Sequence, residues 1–146
     1  MDAGRAAPHC EACLGRWPAA DHRISELDLT VAYLHADQFF PGWVVLVLRR
    51  HAAELFELDR EERARLIEDV NTVARALAAA FRPVKINYAL LGNQLPHIHW
   101  HLVPRLSTDP DLRSPIWQVD HQPVSIAPAA ANERIESIRR ALGVSA

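Results

Sequence analysis

The chain has 146 residues, the size of one domain, and can bury roughly 70% of the surface its unfolded form exposes. With 49% apolar and 23% charged residues it is ordinary globular material, which excludes a disordered tail, a collagen-like fibre and a coiled coil. A net charge of −2 gives no broad attraction to a nucleic-acid duplex or an anionic membrane, so an anionic ligand has to be caught locally, by oriented donors or a few histidines.

The longest apolar runs, Trp43 to Leu48 and Ala76 to Phe81, fall far short of the roughly 20 residues a membrane span needs. Met1 to Pro8 holds Asp2 and Arg5 without an apolar block and does not read as a secretion signal. Two cysteines make no disulfide scaffold, and the expected location is cytoplasmic, where thiols stay reduced.

Residues 1–23 read as an irregular N-terminal segment and residues 24–146 as one domain. Leu27, Leu29, Val31 and Tyr33 alternate with Asp28, Thr30 and Ala32, the period of a half-buried strand. Pro41-Gly42 marks a turn, and Trp43 to Leu48, apolar on both faces, reads as a central strand. Asp59 with Glu62 makes a capping box for a helix in which Leu66, Ile67, Val70, Val73, Ala74, Leu77 and Phe81 recur at helical spacing. Arg63, Arg65, Glu68 and Asp69 fall on its other positions, and Arg82-Pro83 stops it. Val84 to Leu91 predicts a strand, Gly92-Asn93-Gln94 a turn, His97 to Pro104 a strand, residues 107–128 a loop, and Ala131 to Leu142 a last helix ended by Gly143. The order strand, strand, helix, strand, strand, helix, with short links between strands, predicts an α+β domain with an antiparallel sheet.

The chemistry concentrates in Pro96-His97-Ile98-His99-Trp100-His101-Leu102-Val103-Pro104-Arg105, which holds three of the eight histidines. Alternate side chains of a strand share a face, so His97, His99 and His101 line up about 6–7 Å apart while Ile98, Trp100 and Leu102 enter a core. Each imidazole at such a face must be solvated, hydrogen-bonded or ligated. Cys10-Glu11-Ala12-Cys13 is a C-x-x-C that suits a redox pair or half of a metal site. His22 and His121 read as surface residues, and Trp17 and Trp100 as packing.

The histidine strand resembles the signature of the histidine triad (HIT) family of nucleotide hydrolases and transferases. The likeness extends to Pro41-Gly42-Trp43-Val44-Val45-Leu46-Val47, His51, the helix from Asp59, Asn87, Gly92-Asn93-Gln94 and Pro104-Arg105. It implies a sheet of about five antiparallel strands with one long helix and a C-terminal helix, and a homodimer. It also implies a small-molecule nucleotide substrate, with neither duplex nor membrane as partner. By resemblance His99 attacks the α-phosphorus, the carbonyl of His97 orients it, and His101 bonds the phosphate oxygens or the bridging atom. By resemblance Gln94 and Asn87 fall at phosphate-contacting positions, and Gly92-Asn93-Gln94 suits that role by its close backbone approach and two amide donors. Either His35 or Asp37 meets the ribose, and Trp117 resembles a tryptophan near the site. Trp43 departs from the pattern, because the family often has a histidine there. Related bacterial proteins with an early C-x-x-C imply a structural zinc held by Cys10, Cys13, His51 and His97, with His9 a rival ligand. Diadenosine polyphosphates or nucleoside phosphoramidates are the substrates this suggests. The alternatives are a nucleotide-binding regulatory module without turnover and a hydrolase whose metal is held by the three histidines.

Overall fold

The structure is a computed structural model that describes residues 7–144. The first six residues of the N-terminal segment, part of the stretch read above as no secretion signal, lie outside the described residues. The strands are β1 (Arg23–Glu26), β2 (Thr30–Leu34), β3 (Val44–Leu48), β4 (Lys85–Ala89) and β5 (His99–Arg105). They form one sheet in the order β1-β2-β3-β5-β4, with every neighbouring pair antiparallel. Two helices, α1 (Arg60–Phe81) and α2 (Pro128–Leu142), complete the α+β fold. Among the described residues no helix is long and apolar enough to cross a membrane.

Both helices pack on one face of the sheet. Val70, Val73, Ala74 and Leu77 of α1 and Ile135 and Ile138 of α2 bury against Ala32, Leu34, Val44, Leu46 and Leu102. Each such valine, leucine or isoleucine side chain contributes about 1.5–3 kcal/mol when fully buried. The alternate residues Val45 and Val47 of β3 lie beside His101 and His99 of β5, on the face the helices leave free. That face carries the site.

The α1 capping box is present: Glu62 N–H donates to Asp59 Oδ1 at 2.8 Å and Asp59 N–H to Glu62 Oε2 at 3.0 Å. The helix ends at Arg82 in the left-handed region, just before Pro83.

Three readings are corrected. The single strand over residues 27–33 is a hairpin, with the β1–β2 turn at Leu27 to Leu29. Its cause is Asp69, which is buried on α1 rather than solvated. Its carboxylate accepts from Asp28 N–H, Leu29 N–H and Thr30 Oγ at 3.3, 2.8 and 2.8 Å, turning the backbone back at Asp28. The last helix starts at Pro128, whose missing N–H suits a first turn. β4 is shorter than predicted, because Leu90 and Leu91 already belong to the loop.

Gly42 shapes the turn before β3. Its φ is +87°, and a Cβ there would meet the Phe81 ring at 2.7 Å. Gln38 holds the same turn, with Oε1 accepting from Gly42 N–H at 3.0 Å and Nε2 donating to the Trp43 carbonyl at 3.0 Å.

Candidate active site

Hydrogen bonding fixes each histidine of the triad differently. A carbonyl only accepts, so His99 Nδ1 donates to the His97 carbonyl at 2.6 Å and Nε2 is left with its lone pair. His97 Nε2 donates to the Leu48 carbonyl at 2.7 Å, which turns the Nδ1 lone pair the other way. His101 Nδ1 receives the indole N–H of Trp43 at 3.1 Å. Burial, with the nearby His99 and His35 rings adding to it, pushes the His101 pKa down to about 3. His101 is therefore neutral at ordinary pH.

His99 and His101, with ring centroids 5.2 Å apart, line a cavity of about 700 Å³. That is within the usual range of a small-molecule site. Gly92, Asn93 and Gln94 form one wall, on the loop from β4 to β5. His35 also reaches the cavity, stacked on Trp43 at 3.8 Å and 10°. Burial lowers its pKa.

Asn87 and Asp37 are placed elsewhere. Asn87 Oδ1 accepts from Arg105 Nη1 at 2.8 Å, on β4 away from the cavity lining. Asp37 accepts from Phe39 N–H and Val124 N–H, both at 2.9 Å, and its Oδ2 lies 2.8 Å from His121 Nε2. Burial alone would raise the Asp37 pKa, but these donors hold it below the usual carboxylate range. His121 is thus no free surface residue, and against the effect of burial Asp37 raises its pKa. Of the two residues offered for the ribose, His35 faces the cavity and Asp37 fastens the chain beyond Trp117.

Two tryptophans complete the walls. Trp117 meets His101 edge-on at 5.0 Å and 86°. Trp17, read as packing, meets His99 at 5.1 Å and 73° and lines the cavity with Glu11 and Arg16. No local pattern marks this, since Trp17 is delivered by the cysteine loop. Arg105, named above only as the exit of the motif, has an anchoring role that its sequence neighbours do not show. Buried, it binds Asp109 at 2.6 Å, the Asp111 carbonyl at 2.6 Å and the Ser114 carbonyl at 2.7 Å, and so anchors the loop leading to Trp117.

Cys10, Cys13, His51 and His97 come together with their four donor atoms within 4.8 Å of one another. His51 Nδ1 and His97 Nδ1 are 3.3 Å apart, and the Cys13 sulfur lies 3.4 and 3.6 Å from these two nitrogens. A tetrahedral zinc site has donor–donor edges of about 3.3–3.8 Å, and the His97 lone pair faces the cluster, so these residues fit a metal ion. With His97 turned to the cysteines and His99 Nδ1 bonded to backbone, the three triad rings do not converge on one ion, against the reading of a metal held by the triad.

An antiparallel sheet with helices on one face and a polarised histidine strand lining a cavity on the other defines an α+β fold of the triad kind. The chain belongs to the HIT domain family, which it matches over residues 18–108. It resembles the histidine triad protein blr8122 of Bradyrhizobium japonicum, at 32% identity and a TM-score of 0.75, over 82% of this chain and 89% of that one. Among curated relatives it is 23% identical to the asymmetrical bis(5'-nucleosyl)-tetraphosphatase of Schizosaccharomyces pombe, over 64% of this chain and 54% of that protein. To the adenosine 5'-monophosphoramidase hnt1 of the same yeast it is 26% identical, over 57% of this chain and 63% of that protein. The chain thus spans between half and two thirds of the length of these two curated relatives.

Proposed function

We propose that the protein is a nucleotide hydrolase or nucleotidyl transferase that works through a covalent nucleotidyl-histidine at His99. One observation carries this reading: the 2.6 Å bond from His99 Nδ1 to the His97 carbonyl, which leaves Nε2 unprotonated on a ring that lines the cavity. That nitrogen attacks the α-phosphorus, forming an N–P bond as the leaving group departs with its electron pair. Water then attacks phosphorus, the N–P electron pair returns to Nε2, a proton goes to solvent, and a nucleoside monophosphate is released. His101 Nε2 and the amides of Asn93 and Gln94 serve the charge that gathers on the phosphoryl oxygens. One well-placed donor of this kind is worth about 2.7–4 kcal/mol.

In this reading the cluster of Cys10, Cys13, His51 and His97 holds a structural zinc, which stiffens the N-terminal loop and takes no part in bond changes. The working unit is a cytoplasmic homodimer. Edge strand β4 leaves backbone groups unpaired, and Ile67 stands 48% exposed on α1, both suited to a second copy.

The test incubates the protein with a panel of adenylated and guanylated compounds, quenches in base and seeks a nucleotidyl adduct on His99 by mass spectrometry. An adduct in the wild type that His99→Ala loses is the expected result. A broad panel giving neither adduct nor monophosphate overturns the reading and leaves a binding module.

A further inference from the structure

We propose that Trp43 makes this site selective for nucleotides whose leaving group departs as an oxyanion, phosphoanhydrides over phosphoramidates, by holding His101 as a neutral Nε2–H donor. The inference rests on the hydrolase reading above.

An indole N–H donates and cannot accept. Bonded to Trp43 at 3.1 Å, His101 Nδ1 must offer its lone pair, and the single proton of the neutral ring sits on Nε2. Trp43 has little freedom to give way. It is buried, its backbone N–H donates to the Phe40 carbonyl at 3.1 Å, and its own carbonyl accepts from the His35 backbone N–H at 2.9 Å and Gln38 Nε2 at 3.0 Å. Its ring is stacked on His35 at 3.8 Å. A cationic His101 would need a second proton on Nδ1, pointing straight at the indole N–H. The other rings facing it are His99 at 5.2 Å, His35 at 5.8 Å and the uncharged Trp117 at 5.0 Å. Glu11 and Arg16 share the cavity, 3.7 Å from each other, and among the described residues no carboxylate hydrogen-bonds His101. The low pKa of His101 agrees with this geometry.

The two rings therefore carry opposite tautomers: Nε2 is a lone pair on His99 and an N–H on His101. A neutral imidazole N–H is a good hydrogen-bond donor but a very weak acid. When an anhydride is attacked, the bond from phosphorus to the bridging oxygen breaks and the electron pair stays on a phosphate oxygen. That oxyanion is stable in water and asks only for a donor. When a phosphoramidate is attacked, the pair stays on nitrogen, which leaves readily only after taking a proton. The His101 Nε2 proton is too weakly acidic to be handed over, and the His99 Nδ1 proton is committed to the His97 carbonyl. A histidine at position 43 could carry a proton to His101, whereas an indole cannot.

The experiment measures kcat/KM of the full chain on diadenosine tetraphosphate and on adenosine 5'-phosphoramidate, for the wild type, Trp43→Phe and Trp43→His. In the wild type the anhydride is expected to lead by at least about 100-fold, the scale of a missing general acid. Both variants should shift the ratio toward the phosphoramidate by about 10-fold or more, Trp43→His the further. Nitrogen-15 NMR of the histidine rings in the wild type at neutral pH reads the tautomer directly, without turnover, and should show His101 Nδ1 bare and Nε2 protonated. A protonated Nδ1, equal cleavage of both compounds by the wild type, or an unchanged ratio in both variants overturns the proposal. If the wild type cleaves neither compound while the adduct panel above is positive, the substrate preference alone is overturned; if that panel is blank as well, the hydrolase reading falls and the preference with it.

Discussion

Trp17 and Trp117 reach the paired rings in the same way, edge-on at 5.1 Å from His99 and 5.0 Å from His101, yet different chemistry fastens the segments that carry them. Trp17 follows a loop closed by Cys10, Cys13, His51 and His97. Trp117 sits between the Arg105 anchor and the Asp37–His121 pair. One wall of the cavity is held by soft donors suited to a metal, the other by charge and hydrogen bonds. The same pocket should therefore come apart in two ways, by chelation at one wall and by altered charge at the other.

The sharpest break is expected at the C-terminal wall. Arg105→Ala strands the Asp109 carboxylate, 5% exposed, and frees the carbonyls of Asp111 and Ser114. It should cost about 3–5 kcal/mol in denaturant unfolding and blunt the fluorescence response of Trp117 to nucleotide. Next comes the N-terminal wall. Chelation, or Cys10→Ser with Cys13→Ser, should cost about 3 kcal/mol, read as a fall in Tm of about 10 °C, and raise KM more than it lowers kcat. A Tm that ignores the chelator would show that this wall stands without an ion. Asp37→Asn should cost about 1–2 kcal/mol, since it weakens the bonds to His121, Phe39 and Val124 while keeping the shape.

The smallest effect separates the walls by pH. The raised pKa of His121 contributes stability that is full below its ordinary value of 6.5 and fades as pH rises through the folded value. The lowered values of His35 and His101 act oppositely. Their contribution is present above 6.5 and is lost as pH falls, because the unfolded chain takes up protons that the folded one refuses. Asp37→Asn takes away the compensating group, so between pH 7 and 5 its Tm should fall more steeply than that of the wild type. Parallel curves would mean that the pair carries no charge across this range.

How much of this was legible in the sequence follows the range of the contacts. The histidine strand and the α1 cap declare themselves within a few residues, through period and spacing. The cysteine cluster was named from likeness to relatives, and the chain indeed gathers those four side chains. The hairpin was missed because its turn is dictated by Asp69, some forty residues away on a helix face that looks solvated. Trp17, Arg105 and the Asp37–His121 pair leave no local period, since their partners lie in other segments. Asn87 was assigned from its place in the family pattern, whereas here Arg105 takes its carbonyl oxygen.

Position 97 does two jobs with separable parts. Its imidazole belongs to the cysteine cluster, while its backbone oxygen orients the His99 ring. Every amino acid brings that oxygen, but few bring a donor nitrogen. In a version of this chain stripped of both cysteines the side chain at 97 keeps only its bond to the Leu48 carbonyl, which other donors can fill, so the first letter of the triad is then the least constrained of the three.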